Sequence, residues 1–223
     1  MKFLCPLCLS VIPAARRDAA SDMAACDYCG VNFSLADLTA GASVPDGFAL
    51  RAPPSGAWFE KTTGGWRLGA SLHRPDAWLL VAFVCAWVSA ALWGFVGSQI
   101  TEGELDPGLT LIGIPFLFGG VLMGGFVAML VAGKVVVAVE GDAGSVFAGV
   151  GRLGSTTRFD WSAVTAVAMD VGYARGESRM AAKAIILAAP QWFRFGQLLR
   201  APRREYMLHA LRALLADRGP PRG

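Results

Sequence analysis

The chain has 223 residues, 54% of them hydrophobic and only 17% charged, with a net charge of +3. Against the roughly 25% charged residues of an ordinary soluble domain, and with a mean hydropathy of +0.47, this composition argues against a simple soluble globular protein, whose buried helices are the alternative, and points to lipid. The charges are unevenly spread: residues 1–76 balance seven basic against seven acidic side chains, residues 134–223 carry thirteen against seven, and the other three acids lie together at 102–106.

Residues 1–38 read as a zinc-ribbon-like module. Cys5-Pro-Leu-Cys8 and Cys26-Asp-Tyr-Cys29 stand seventeen residues apart, the spacing of a tetrahedral zinc site. Each pair places two thiolates on one tight turn, so Cys5, Cys8, Cys26 and Cys29 fill four-coordination and leave no open position for a substrate water. Such a closed site makes zinc a structural cofactor whose binding supplies folding energy. Gly30 suits the left-handed turn that a knuckle needs. A thioredoxin-type dithiol is the alternative for one pair, but neither has the strand-to-helix context. Arg16 and Arg17 sit beside Asp18 and Asp22 and read as a solvated loop, so nucleic acid is not an expected partner. Ser34–Leu38 is expected to form a short helical turn, and residues 39–56, rich in Gly, Ala, Pro and Ser, a linker.

Trp58–Lys61 and Trp66–Leu72, around Thr62-Thr63-Gly64-Gly65, carry a hairpin signal within residues 57–74. Residues 77–101 and 107–133 then hold no charge. Each exceeds the ~20 apolar residues that cross a ~30 Å hydrocarbon core, which predicts transmembrane helices at Ala77–Gly97 and Leu109–Ala132, joined by an acidic external loop at residues 98–108. Neither is a cleaved signal peptide, because both lie far from the N-terminus and Met1–Ser10 has no apolar core of signal length. The loop holds Glu102, Glu104 and Asp106 without Lys or Arg, whereas Arg67, Arg74 and Lys134 flank the pair. The positive-inside rule therefore puts both termini in the cytoplasm, and free cysteines agree with a reducing compartment. The expected location is a bacterial inner membrane.

Small residues recur every fourth position: Ala82, Ala86, Ala90 and Gly94 in the first span, and Gly120, Gly124, Ala128 and Ala132 in the second. Such stripes allow close helix approach, either within the hairpin or in a homodimer. Pro115 is expected to kink the second span, Trp78 and Trp93 to sit in interfacial belts, and Cys85 to pack. No ionisable side chain lies inside either span, which argues against a transporter.

Beyond the membrane, residues 134–217 are β-rich. Strands are expected at Lys134–Glu140, Ser145–Val150, Thr156–Trp161, Val164–Met169, Lys183–Ala188 and Trp192–Phe195, with Gly172–Arg179 a polar loop. An amphipathic helix is expected at Pro202–Ala216, stopped by Gly219-Pro220-Pro221. With the pre-membrane hairpin this gives about seven strands and a terminal helix, the elements of a pleckstrin-homology-like (PH-like) barrel into which the spans are inserted. The rival split leaves residues 58–72 as a linker and the C-terminal part as a five-stranded sheet. The expected fold is thus multi-module: a β zinc ribbon, a two-helix transmembrane hairpin, and a PH-like β domain with a C-terminal helix.

The cysteine knuckles, Gly64-Gly65-Trp66-Arg67-Leu68 and Arg158-Phe159-Asp160-Trp161-Ser162-Ala163-Val164 make the chain resemble a group of uncharacterised bacterial membrane proteins. These combine an N-terminal zinc ribbon, a β-hairpin, two spans and a PH-like segment. The resemblance implies architecture and brings no activity with it.

No catalytic constellation is evident. His73 beside Arg74 reads as interfacial and His209 as a polar-face residue, and neither has a triad partner in sequence. Gly149-x-Gly151-x-x-Gly154 fits a dinucleotide fingerprint in letters but leads into a strand, so these are turn glycines. The chain is expected not to be an enzyme. Three functions remain: a membrane-anchored scaffold that binds another protein; an anionic-lipid sensor using Arg194, Arg200, Arg203 and Arg204; or an accessory subunit of a membrane enzyme or transporter.

Overall fold

Period-two strand runs and helical runs without a polar face separate cleanly in the chain. The computed structural model describes residues 3–39, 43–103, 106–171 and 183–218. They divide into two units, one taking the described residues within 1–71, 135–148 and 154–223, the other those within 72–134 and 149–153. The expected loop Gly172–Arg179, the helix stop Gly219–Pro221 and Glu104 lie outside the described residues.

In the first unit, β1 (Phe3–Leu4) pairs with β2 (Val11–Ile12), and β3 (Arg17–Asp18), β4 (Met23–Ala25) and β5 (Asn32–Ser34) form a three-stranded antiparallel sheet. Helix α1 (Leu35–Thr39) follows. Its first turn is satisfied by Asp22, whose carboxylate accepts from Ala36 N at 2.8 Å, and by Ser34 Oγ, which accepts from Asp37 N at 3.2 Å. The hairpin of β6 (Ala57–Thr62) and β7 (Gly65–Ser71) runs in register from Ala57↔Ala70 to Thr62↔Gly65.

The chain then enters the second unit through α2 (Ala77–Leu92), α3 (Ser98–Glu102) and α4 (Pro107–Ala132). It returns as β8 (Gly133–Glu140), β9 (Ala143–Val150), β10 (Leu153–Asp160), β11 (Ala166–Asp170), β12 (Ala184–Ala188), β13 (Phe193–Phe195) and α5 (Ala201–Asp217).

Strand order β10-β9-β8-β7-β6 joins β7 to β8 across the helical insertion. Residues 57–71 are therefore strands of the sheet that resumes at Gly133, not a linker. Close approach explains the glycines of β7. A Cβ at Gly65 would collide with the Val139 carbonyl, and one at Gly69 with the Trp58 ring. Val135, Val137 and Val139 of β8 are buried on alternate positions, as a half-covered sheet requires.

The second sheet, β11-β12-β13, pairs Ala168↔Ile186 and Ile185↔Phe195. All five residues of β12 are buried. Ala168 and Ile186 pack into one core with Cys5, Ile12, Ala24, Cys26, Val31 and Phe33. β12 thus reads as an uninterrupted apolar run because the cysteine-bearing segment covers one of its faces. Val171 N also donates to Asn32 O at 3.1 Å. The N-terminal segment is accordingly built into the β domain rather than tethered to it.

The expected linker, residues 39–56, is also tied down where described. Phe48 packs on Tyr206 and His209 of α5, with ring centroids 5.7 and 5.8 Å away. Tyr206 Oη donates to Leu50 O at 2.6 Å, and Arg203 Nε to Ser55 O at 2.8 Å. One aromatic anchor and two backbone carbonyls hold a segment whose Gly and Pro content reads as loose.

In the second unit, Ala77–Thr101 and Pro107–Ala132 span 25 and 26 residues and are long and apolar enough to cross a membrane. The first continues past Leu92 through a π-turn at Trp93–Gly97 into α3. It runs beyond the expected Gly97 because Ser98 Oγ and Thr101 Oγ1 donate back to Gly94 O and Gly97 O, at 2.9 and 3.1 Å. Helix α4 runs unbroken through Pro115.

The packing seam differs from the expected stripes. Ala82, Ala86, Ala90 and Gly94 are all exposed, as are Ala128 and Ala132, whereas Gly120 is buried and Gly124 half-buried. Contact runs instead through Val84, Val88, Ala91 and Phe95 of the first helical run and through Gly113, Leu117, Gly120, Val127 and Leu130 of α4. These alternate three- and four-residue steps, whereas a strict four-residue step drifts ~40° around the helix each time and cannot follow one partner in a shallow crossing. Gly113 receives Phe95 and Gly120 receives Val88.

Buried Gln99 clasps the loop end, its Nε2 donating to Phe95 O at 2.6 Å and its Oε1 accepting from Asp106 N and Thr110 Oγ1, each at 3.2 Å. Asp106 caps α4 by accepting from Gly108 N at 2.7 Å. At the other end, Leu72 N donates to Gly133 O at 2.8 Å and Arg74 N to Leu130 O at 3.1 Å.

Candidate metal centre

The four cysteines converge from two turns of the same design. Cys5 N donates to Ser10 O at 2.8 Å and Leu9 N to Cys5 O at 2.9 Å; Cys26 N donates to Val31 O at 3.0 Å and Gly30 N to Cys26 O at 2.9 Å. In each turn the fifth residue is left-handed: Gly30 at φ 68° and Leu9 at φ 59°. Gly30 is legible in sequence, whereas Leu9 occupies the equivalent position with a Cβ and is 73% exposed.

The Sγ atoms all lie within 4.8 Å of one another, with Cys5···Cys29 and Cys8···Cys26 both at 3.6 Å. Those separations are far beyond the ~2.05 Å of a disulfide, and all four thiols are free. Four ligand atoms at this spacing can share one metal ion. Burial pushes the Cys5 and Cys29 thiols up, so a cation's own field is needed to make them thiolates. Cys8 is opposed by its own desolvation, but hydrogen bonds with Ser10 bring it down to about 7. Cys85 lies on the exposed face of α2, remote in sequence from these turns.

The turns are braced by their arginines. Arg16 pairs with Asp27 at 2.7 Å, and Arg17 Nε donates to Ile12 O at 3.0 Å while its guanidinium lies 4.7 Å from the Phe3 ring centroid. Behind the centre, the buried Arg212 of α5 forms a bidentate pair with Asp37 of α1, at 3.0 and 2.8 Å, and donates from Nε to Val167 O at 3.1 Å. In sequence, Arg212 gives no sign of this role within an amphipathic helix.

The four arginines expected to meet headgroups have different surroundings. Arg203 is engaged by Ser55 O, Ser71 O and Ser71 Oγ, and Arg204 donates to Leu199 O at 2.9 Å. Arg194 pairs with buried Asp170 at 3.1 Å and lies against Trp192. Arg194 and Arg200 are exposed, Arg200 at the start of α5, whereas Arg203 and Arg204 are half-buried.

His73 Nδ1 bonds with Val131 O at 3.0 Å. His209 is not a polar-face residue: it is half-buried against Phe48, with Nδ1 enclosed and unpartnered among the described residues. Burial and the nearby Arg212 hold its pKa below the ordinary 6.5. Gly151, at φ 59°, lies in the β9–β10 turn. No protein family, curated protein or solved structure matches the chain.

Proposed function

We propose that the chain is a membrane-anchored binding protein whose cytoplasmic head is a PH-like β fold stiffened by a structural zinc ion, with no chemistry of its own. The observation that carries this reading is the union of the four-thiol centre with the β11–β12 core through Ala168 and Ile186. A metal built into the packing of a sheet acts as structure, and four protein ligands leave no position for a reacting group. Zinc fits the cluster, because a tetrahedral Zn–S bond of ~2.3 Å implies S···S distances of about 3.8 Å, close to the 3.6 Å pairs. The five-stranded and three-stranded sheets with a closing helix support the PH-like assignment.

Apolar helical runs of 25 and 26 residues support membrane insertion, and Arg74 and Lys134 at one end, opposite Glu102 and Asp106, support a cytoplasmic head. The engagement of Arg194, Arg203 and Arg204 within the protein favours protein binding over headgroup sensing. The partner surface is the edge strand β10, exposed from Gly154 to Arg158, where an added strand can pair.

Photo-crosslinkers at Thr156 and Arg158 of the intact membrane-bound protein test this. Discrete protein adducts are expected there, and none from a probe at Glu60 on β6. Equal labelling at all three positions overturns the reading. Metal analysis of purified protein is expected to give one zinc per chain, lost in Cys5→Ser; a wild-type chain with full thiol reactivity and no zinc refutes the structural site.

A further inference from the structure

The turn between β9 and β10 belongs to the same unit as the two apolar helices: residues 149–153 group with residues 72–134. The topology explains why. β8 starts at Gly133, immediately after the last residue of α4, and runs eight residues to Glu140. β9 is its sheet neighbour, is also eight residues long, and returns over the same length. Its final residue, Val150, therefore lies at the level where β8 began, beside the end of α4. The chain turns there through Gly151 and Arg152 before β10 begins at Leu153.

The side chains at this turn suit an interface. Leu153 is 84% exposed, the most exposed of the large hydrophobics in the described chain. Arg152 is exposed and makes no ion pair among the described residues. A leucine held out of the protein next to an unpaired cation, at the level of a helix end, matches the zone where acyl chains give way to phosphates. Lys134, one residue into β8, adds a second cation at that level.

We propose that the β9–β10 turn is a third membrane contact, in which Leu153 enters the interfacial zone of the bilayer that holds α2 and α4 and Arg152 meets anionic lipid phosphate. The proposal rests on the membrane-spanning reading of those helices.

The test uses the full-length protein in lipid nanodiscs, with a fluorinated phenylalanine placed in turn at Leu153, at Leu122 on the exposed face of α4, and at Leu9 in the head. The expected result is that a nitroxide at headgroup depth removes at least half of the Leu153 signal, while a water-soluble gadolinium chelate does so only at Leu9. A nitroxide at the acyl-chain end should act at Leu122. If Leu122 responds to lipid and Leu153 follows Leu9, the third contact is overturned while the spans stand; if Leu122 also follows Leu9, the spanning reading falls. In discs with 30% anionic lipid, Arg152→Gln is expected to cut the Leu153 broadening at least twofold, and an unchanged value overturns the phosphate contact.

Discussion

Arg212→Ala is the most informative single perturbation of the head. The guanidinium is 5% exposed and Asp37 24%, and Arg212 makes three hydrogen bonds at 2.8–3.1 Å that join α5, β11 and α1. Removing one partner of a buried pair costs about 3–5 kcal/mol because the other charge stays desolvated. Asp37 keeps some water contact, which brings the expected loss to about 2–3 kcal/mol. With a urea m-value of about 2 kcal/mol/M, the unfolding midpoint falls by about 1–1.5 M. The assay is a urea titration of the full chain in micelles, followed by emission of buried Trp161. Arg212→Met with Asp37→Leu should recover most of the loss, since an apolar pair of similar volume needs no desolvated charge. A midpoint for Arg212→Ala within about 0.3 M of wild type, or a double variant no better than the single one, refutes the reasoning.

Leu9→Gly should stabilise the cysteine-bearing segment by about 0.5–1 kcal/mol, because the left-handed penalty of ~1–2 kcal/mol exceeds the entropy cost of glycine; Gly30→Ala should do the reverse, and metal-release midpoints against a chelator read both. In the helical hairpin, Gly120→Leu meets Val88 and should cost about 1–3 kcal/mol, whereas Ala86→Leu on the exposed face should leave the micellar melting temperature unchanged. The depressed pKa of His209 makes the unfolded chain the stronger proton binder below pH 6.5. Stability from this residue is therefore full above pH 6.5 and is lost as pH falls through the folded value. Asp37, Glu205 and Arg212 set the field around the ring, and His209→Gln should flatten the urea-midpoint difference between pH 7.5 and 5.5.

Local features were legible in the sequence wherever one periodicity or one spacing governed them. The β8 run Val135-Val136-Val137-Ala138-Val139, the Thr63-Gly64 turn and the cysteine knuckles each declare their structure within a few residues. Features that depend on distant partners were not legible. Ala168 and Ile186 carry no mark of facing Cys5 and Cys26, and Phe48 sits in a stretch whose composition reads as linker although Tyr206 and His209 await it on α5. Within the hairpin the seam departs from the stripes for a geometric reason: residue size is visible in sequence, but the hand of the crossing that decides between three-four and four-four steps is not. The arginines near α5 form a cluster in sequence, yet Arg203 is taken up by Ser55 and Ser71 and Arg194 by Asp170.

The adjacency of β7 and β8 carries a consequence for biosynthesis. Ser71 and Gly133 border strands of one sheet, so the sheet remains open until residues 72–132 have been made. At ~5–20 residues per second that is a delay of roughly 3–12 s. Through this interval the β6–β7 hairpin waits unpaired on one side, a two-stranded unit with little stability of its own. On the proposed topology, β8 reaches β7 only after both helices have entered the bilayer and returned the chain to the same side. Completion of the head is thereby made conditional on correct insertion, and a chain that misplaces one helix leaves an unpaired strand edge for proteolysis.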